Sequence, residues 1–522
     1  MSGKTVPGPS TARHTSAGAA PVKPQYGYFR NKAIRLTPSN YQCKLFCGGQ
    51  KCKYCIPGAW PPEAQAIQGI YSSWITENLL AMARPTDTAV HTRNVVGQFL
   101  RLGINSIVNL QHAGEHKHCG PTLQPGGFSY NPDDFMIKGI YHYNFGWPDF
   151  GASTLPGMLD MVKVLSFSLT QGKTAIHCHA GLGRTAVLIS CFFIWDSNLS
   201  AEEAVRMVRS RRPNSIQTVD QVTLIHEFAN YLSPLRKVFN GDVDFEHYLG
   251  NQQEMLHGLE ARILKHIPKI VFVICERLLE IAGLNPTGQL VQKLENMKSG
   301  DEVFYEKILQ KNTANADYGT LRQIRELSEQ KTFVDETQPR PAKEQPSPPT
   351  DPCQNPRSNP ESFLENNTTE FWPEILKGAL LRHPKSSVIA AAAEHQSGVK
   401  HVPHGWTELL QEQDPAVLIT VLGNWCRSLK CPPISVQQIL PAADAEQEGS
   451  GSVRLQPCQK WTILYLCGAL GRLCADDLGQ KKDTGTLLCD WLTWSRDDRA
   501  ELYFLSCLET VAANRGEPTR TI

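Results

Sequence analysis

The 522-residue chain holds no long uncharged apolar run. Its longest apolar stretch, Ile267 to Leu284, is broken by Pro268, Lys269, Glu276, Arg277 and Glu280. A spanning helix needs about 20 nearly uncharged residues, so this stretch reads as a packed helix and no membrane span is expected. The first residues show neither the apolar core of a secretory signal nor a lipidation signal. Cysteine is too sparse for a disulfide scaffold: 16 in 522 residues falls well below the roughly 8–10% that marks one, so most thiols are expected to be reduced. An excess of charge is also missing. With 52 Lys and Arg against 51 Asp and Glu, and a formal net charge of +1, there is no electrostatic footprint for nucleic acid. No internal repeat is evident.

What is present divides by composition. Residues 1–25 are rich in Ser, Thr, Gly, Ala and Pro, too poor in large apolar groups to offset ordering entropy, and are expected to be a disordered tail. A Cys, Lys and Gly cluster fills 40–66, and from Ile67 the apolar pattern becomes dense. Strands are expected at Ile70–Ile75, Ser106–Leu110, Ile140–Phe145 and Thr174–His177, with helices at Val90–Leu102, Leu155–Leu169 and Arg184–Trp195. Such alternation implies an α/β layer fold. Ser200 with Glu203 forms a capping-box pattern for a further helix, and Val219–Leu232 carries another that ends ahead of Pro234. Apolar residues at helical spacing (Leu256, Leu259, Ile263, Ile267, Ile270) continue a helical extension over 236–330. Eight prolines among polar residues, from Pro339 to Pro360, mark 331–370 as a linker. Leu, Trp and Cys return over 371–514, which reads as an all-helical domain serving as an interaction module for a protein partner.

One segment carries chemistry: Ala175-Ile-His-Cys-His-Ala-Gly-Leu-Gly-Arg184-Thr185. It sets a cysteine after a strand and an arginine six positions on, ahead of a helix. A loop of small residues closing onto a helix N-terminus turns its N–H groups inward, where they and the helix dipole hold an anion of phosphate size. His179, Ala180, Gly181, Leu182, Gly183 and Arg184 are therefore the candidate phosphate-binding residues. The same field is expected to lower the Cys178 pKa, and the Arg184 fork suits two equatorial oxygens. Thr185 is placed to donate its hydroxyl to the sulfur. His177, behind the loop, is expected to form a structural hydrogen bond.

This pattern, H-C-x5-R-[ST], resembles the signature of the cysteine-dependent protein tyrosine phosphatase superfamily. It is similar to the loops of dual-specificity phosphatases of the mitotic-exit type and of the lipid phosphatase group, though His179 and Ala186 stand where those often have Lys and Gly. The resemblance, over about residues 67–235, implies an α/β fold: a tyrosine-phosphatase-like sheet flanked by helices, followed here by a helical extension and a separate all-helical C-terminal domain. Catalysis falls to Cys178 as nucleophile, Arg184 and Thr185 as supports, and Asp149 of Trp147-Pro148-Asp149 as general acid on a mobile loop. Ile216-Gln-Thr-Val-Asp-Gln221 resembles the glutamine loop, with Gln217 holding the hydrolytic water and Gln221 assisting. No cofactor is implied. Substrates are expected to be phosphorylated proteins, phosphotyrosine and phosphoserine or phosphothreonine alike, because no aromatic recognition loop builds a deep pocket. The setting is expected to be cytoplasmic, by resemblance at the centrosome or ciliary base. A phosphoprotein-binding adaptor and a phosphoinositide phosphatase are the alternatives.

Weaker patterns accompany the motif. Cys43, Cys47, Cys52 and Cys55 are loosely compatible with a tetrahedral zinc site, although buried or surface thiols are the plainer reading and no metal is expected. His112, His116, His118 and Cys119 form a second loose cluster in a loop. Cys119 and Cys191 are alternatives as resolving thiols for an oxidised Cys178. Arg206, Arg209, Arg211 and Arg212 read first as a solvated face, and second as a steering patch for phosphorylated substrates.

Overall fold

The structure is a computed structural model describing residues 22–37, 41, 43–149, 153–284, 373, 375, 384–401, 406–439, 455–474 and 477–513. The expected linker at 331–370, the far part of the extension and most of the N-terminal tail lie outside these. The chain divides into two compact units at Tyr231 and Leu232.

In the first unit, a short helix α1 (Tyr28–Leu36) precedes β1 (Ser72–Trp74), β2 (Leu79–Met82), α2 (Asp87–Thr92), α3 (Val95–Leu102) and β3 (Ile104–Asn109). There follow α4 (Asp133–Met136), β4 (Tyr141–Asn144), α5 (Leu155–Gln171), β5 (Lys173–His177), α6 (Arg184–Ser197), α7 (Ala201–Arg211) and α8 (Val219–Leu235). The strands form one sheet in the order β1-β2-β5-β3-β4, antiparallel only between β1 and β2. β5 is central, and Thr174, Ala175, Ile176 and His177 are buried on it, as expected of a parallel strand covered on both faces. The signature cysteine thus leaves the carboxyl end of the middle strand, where open α/β sheets place their ligands.

Local chemistry sets the boundaries. The single helix expected over Val90–Leu102 is two, because Asn94 takes a left-handed conformation and its side chain accepts from Gly97 N–H to cap α3. β2 and α4 were not anticipated. The Thr76-Glu77-Asn78 turn before β2 lacks glycine, and α4 is a single turn. α5 is capped by Thr154 with proline in its first turn, and the Ser200–Glu203 capping box is present in both directions.

The second unit is helical: α9 (Phe245–Met255), α10 (Gly258–Ile263), α11 (Lys269–Ile281), α12 (Ser386–Gly398), α13 (Thr407–Gln411), α14 (Pro415–Arg427), α15 (Val436–Ile439), α16 (Pro457–Leu473), α17 (Leu478–Thr493) and α18 (Asp498–Ala513). The expected extension and the expected separate C-terminal domain share one hydrophobic core, which corrects the division drawn between them. Phe272 of α11 stacks on Tyr465 of α16, and Tyr248 of α9 meets Trp425 of α14 edge-on. Inside this core Tyr465 donates a 2.6 Å hydrogen bond to Glu276. α11, buried along nearly its whole length, packs among the described residues against helices beyond residue 386. Among the described residues, no helix is long and apolar enough to cross a membrane.

Candidate active site

The loop between β5 and α6 is held from outside by backbone and arginine contacts. Gly181 adopts φ +68, and a Cβ there would meet the Met82 carbonyl oxygen at 2.1 Å, so only glycine fits against β2. Arg212, fully buried, donates to the carbonyls of Gly181 and Ala180 at 2.5 and 3.1 Å and packs over the Tyr71 ring. This corrects the solvated-face reading for Arg212; Arg206 and Arg211 are exposed. Arg209 donates to the carbonyls of Ser215 and Ile216. Arginine donors that take the outward carbonyls leave the loop's N–H groups for an anion inside.

Cys178 is nearly inaccessible at the base of the loop. Behind it, His177 Nδ1 donates to the Cys178 carbonyl at 3.1 Å, which leaves Nε2 to accept from the Tyr130 hydroxyl at 2.8 Å. That hydroxyl lies 2.9 Å from His142 Nε2 and accepts from it in turn. Burial pushes the His177 pKa down to about 3 and that of His142 down to about 4.

Arg184 is fully buried at the start of α6. It donates to Glu115 through both terminal nitrogens, at 3.0 and 2.8 Å, and to the carbonyls of Trp147 and Leu110 at 2.7 and 2.9 Å. Burial opposes its charge, but Asp149, Cys178 and Glu115 outweigh that and raise its pKa. Asp149 lies 3.3 Å from Arg184 and 3.0 Å from His116 Nε2. Burial alone would raise its carboxyl, yet Arg184, His116 and His179 hold it well below the usual carboxylate range. Trp147 is buried and offers only its carbonyl here, while Pro148 is exposed.

Three buried polar atoms around this loop have no hydrogen-bond partner: Arg184 Nε, Thr185 Oγ1 and Gln221 Nε2. Gln221 Oε1 accepts from Gln217 N–H at 2.7 Å, and its Nε2 lies 2.6 Å from where a Gly183 Cβ would sit. Gln217 is turned toward the N-terminal segment instead: its carbonyl accepts from Tyr26 N–H, and its side chain hydrogen-bonds with Tyr26. The segment before it is anchored by Ile216, a buried β-branched residue at φ +58, whose N–H donates to the Leu182 carbonyl at 2.9 Å.

His179 does not turn its ring to an anion. Its Nε2 lies 3.5 Å from Cys52 Sγ and 3.6 Å from Cys55 Sγ, its ring stacks on His116 at 3.9 Å, and only its carbonyl serves the sheet, accepting from Arg84 N–H. The two loose ligand clusters of the sequence are thereby merged. Cys47, His116, Cys119 and His179 form one group and Cys52, Cys55 and His179 another, with ligand atoms within 4.8 Å of one another in each. The Cys43 side chain lies outside the described residues. Cys191 is buried within α6.

Glu115, Tyr130 and Arg84 escaped the sequence reading, and Arg212 was read there without its role in holding the loop. Glu115 had a signal, since a buried arginine demands an acid and the loop after β3 begins beside the end of β5. Arg84, which follows β2, donates to the Cys119 carbonyl at 2.6 Å and to Cys55 Sγ at 3.5 Å.

Sheet, loop and site agree with the class that the comparisons return: residues 152–231 match the family described as dual specificity phosphatase, catalytic domain. Among curated relatives, the chain is 50% identical over 254 residues to the zebrafish (Danio rerio) protein named Protein tyrosine phosphatase domain-containing protein 1, covering 47% of this chain and 36% of that one. It is 45% identical over 282 residues to the mouse (Mus musculus) protein of the same name, covering 53% and 38%. The chain therefore spans little more than a third of the length of these relatives. A crystal structure of kinase associated phosphatase, with its catalytic cysteine replaced by serine, aligns at 23% identity and a TM-score of 0.27, covering 31% of this chain and 96% of that one.

Proposed function

We propose that the first unit hydrolyses phosphate monoesters on proteins through a phosphocysteine intermediate, accepting phosphotyrosine and phosphoserine or phosphothreonine in a cytoplasmic setting. The observation that carries this is the set of unpartnered buried donors, Arg184 Nε, Thr185 Oγ1 and Gln221 Nε2, around Cys178. Buried donors are rarely left unpaired, and a tetrahedral oxyanion supplies the missing acceptors.

Cys178 Sγ attacks phosphorus, the bond to the leaving oxygen breaks, and Asp149 supplies that oxygen's proton. Asp149, now ionised, takes a proton from water. The hydroxide attacks phosphorus, the sulfur–phosphorus bond breaks, and inorganic phosphate and thiolate are released. In the anion-free site Arg184 keeps Asp149 ionised. A bound phosphate dianion competes for that cation and repels the carboxylate, which raises the Asp149 pKa toward that of an acid in the step that needs one. Gln221, nearer the loop than Gln217, is the better placed to hold the water. With the His179 ring engaged elsewhere, the loop lacks an added cation for a polyphosphorylated inositol headgroup, which favours phosphoproteins.

A matched panel of phosphopeptides and phosphoinositides tests this reading. Wild type should release phosphate from all three phosphopeptide classes, and Cys178→Ser should release none yet still bind orthovanadate or phosphopeptide. Phosphoinositide turnover roughly tenfold above any phosphopeptide, about 1.4 kcal/mol in transition-state terms, would overturn the substrate class. Near wild-type turnover by Cys178→Ser would overturn the covalent route.

A further inference from the structure

Six soft or borderline donors from three distant parts of the chain converge beside the phosphate loop. Cys47, Cys52 and Cys55 come from the segment before β1, His116 and Cys119 from the loop after β3, and His179 from the residue after the nucleophile. All six are buried or half-buried, none of the four thiols is in a disulfide, and Cys52, Cys55 and Cys119 form a cluster of their own.

The geometry points to a zinc site built from Cys47, Cys52, Cys55, Cys119, His116 and His179. A zinc ion with Zn–S of about 2.3 Å and Zn–N of about 2.0–2.1 Å in tetrahedral coordination separates its sulfur and nitrogen ligands by about 3.6 Å. The Cys52–His179 and Cys55–His179 separations are 3.5 and 3.6 Å. One ring nitrogen has one lone pair and cannot accept from two thiols at once, so a shared cation explains both contacts where S–H···N bonds explain one. The Cys52-Lys-Tyr-Cys55 spacing is that of a zinc knuckle. Its turn closes with Cys55 N–H donating to the Cys52 carbonyl at 3.0 Å. Glycine lets the second strand of the cradle approach, because a Cβ on Gly120 would meet Cys55 Cβ at 2.4 Å. His116 holds Asp149 through Nε2, and its ring lies within ligand reach of Cys47, Cys119 and His179.

Thiolate and imidazole donors select zinc over magnesium or calcium, which take oxygen ligands. Six donors exceed the four of one tetrahedral ion, so the cluster has room for one ion with spare ligands. Bound zinc would cross-link the entry segment, the loop carrying Glu115 and the phosphate loop, and would fix the His116 ring that orients Asp149.

The full chain, purified under reducing conditions without chelator, tests this by elemental analysis. At least one equivalent of zinc per chain should survive gel filtration, and should do so equally in Cys178→Ser. After zinc is exchanged for cobalt(II), thiolate-to-cobalt charge transfer and the intense d–d bands of a four-coordinate ion are expected. Cys52→Ser combined with Cys119→Ser should lose most of the metal, whereas Cys431→Ser, an exposed thiol of the second unit, should keep it. Absence of both metals from wild type overturns the proposal, as does a disulfide among Cys47, Cys52, Cys55 and Cys119 in freshly reduced protein, or full zinc retention by a folded double variant. Should the double variant fail to fold, the wild-type cobalt spectrum still decides.

Discussion

Arg184 is a full cation with no access to water, and beside Asp149 and Cys178 it is stabilised by a residue that no motif marks. Glu115 takes both terminal nitrogens, which fixes the plane of the guanidinium and leaves Nε buried and unpartnered. Glu115→Gln keeps the shape but removes the charge and one acceptor. A lost charge-assisted bond to a buried group is worth about 1–3 kcal/mol, so kcat/KM on phosphopeptides should fall about 10- to 100-fold, with a lowered unfolding midpoint. Unchanged kinetics would show that the surrounding carbonyls orient Arg184 unaided. At this scale the sequence was most legible where residue type and spacing define the chemistry, as at Cys178, Arg184, Thr185 and Asp149. Glu115 and Arg212 were hidden because their partners are backbone carbonyls or a side chain some seventy residues away in the chain. The His179 ring was misplaced for a different reason: a spacing argument cannot know that four cysteines wait on its other side.

Among elements, β5 and the turn into α6 were readable because a short apolar run followed by small residues has few other uses, whereas β2 was missed because its turn carries no glycine signal. What spacing could not reveal is the hydrogen-bonded row His142–Tyr130–His177, which links β4 to β5 through a residue of the loop between β3 and α4. Both rings have folded-state pKa values depressed by burial, while unfolded histidine titrates near 6.5. Below about pH 6.5 the unfolded chain binds these protons and the folded one does not. Stability is therefore fully present above that pH and is lost as pH falls toward about 4 and then 3, by up to about 1.4 kcal/mol per pH unit for each ring. Tyr130→Phe should lower stability at neutral pH by about 1–3 kcal/mol, since it leaves buried ring nitrogens unpaired. Denaturant midpoints measured across this range check both statements. A flat profile between pH 6.5 and 4 would contradict the first, and an unchanged midpoint for the variant the second.

Across the whole molecule, composition showed correctly that helices follow the α/β part, but not that they share a core. Apolar spacing shows which face of a helix is buried and is silent on its partner. Because α9–α11 and α12–α18 pack into one cluster, a chain ending at residue 330 should expose the apolar faces of α9–α11. Such a protein should self-associate and bind a hydrophobic dye, whereas one ending near residue 240 should stay monomeric and keep phosphatase activity. Monomeric behaviour of the longer truncation would show that α9–α11 find a core elsewhere.

The shared core also sets an order of events during synthesis. α11 ends at Ile281 and α12 begins at Ser386, and a ribosome adds about 5–20 residues per second. The first helices of the second unit therefore emerge roughly 5–20 seconds before their packing partners. Over that interval Phe272, Ile274 and Leu278 lack the partners in α12–α18 that cover them among the described residues, and the nascent chain presents a sticky face that a holdase chaperone would recognise. Yield of the second unit should then depend on chaperone supply and translation speed far more than yield of the first, whose strands and helices follow one another without such a gap.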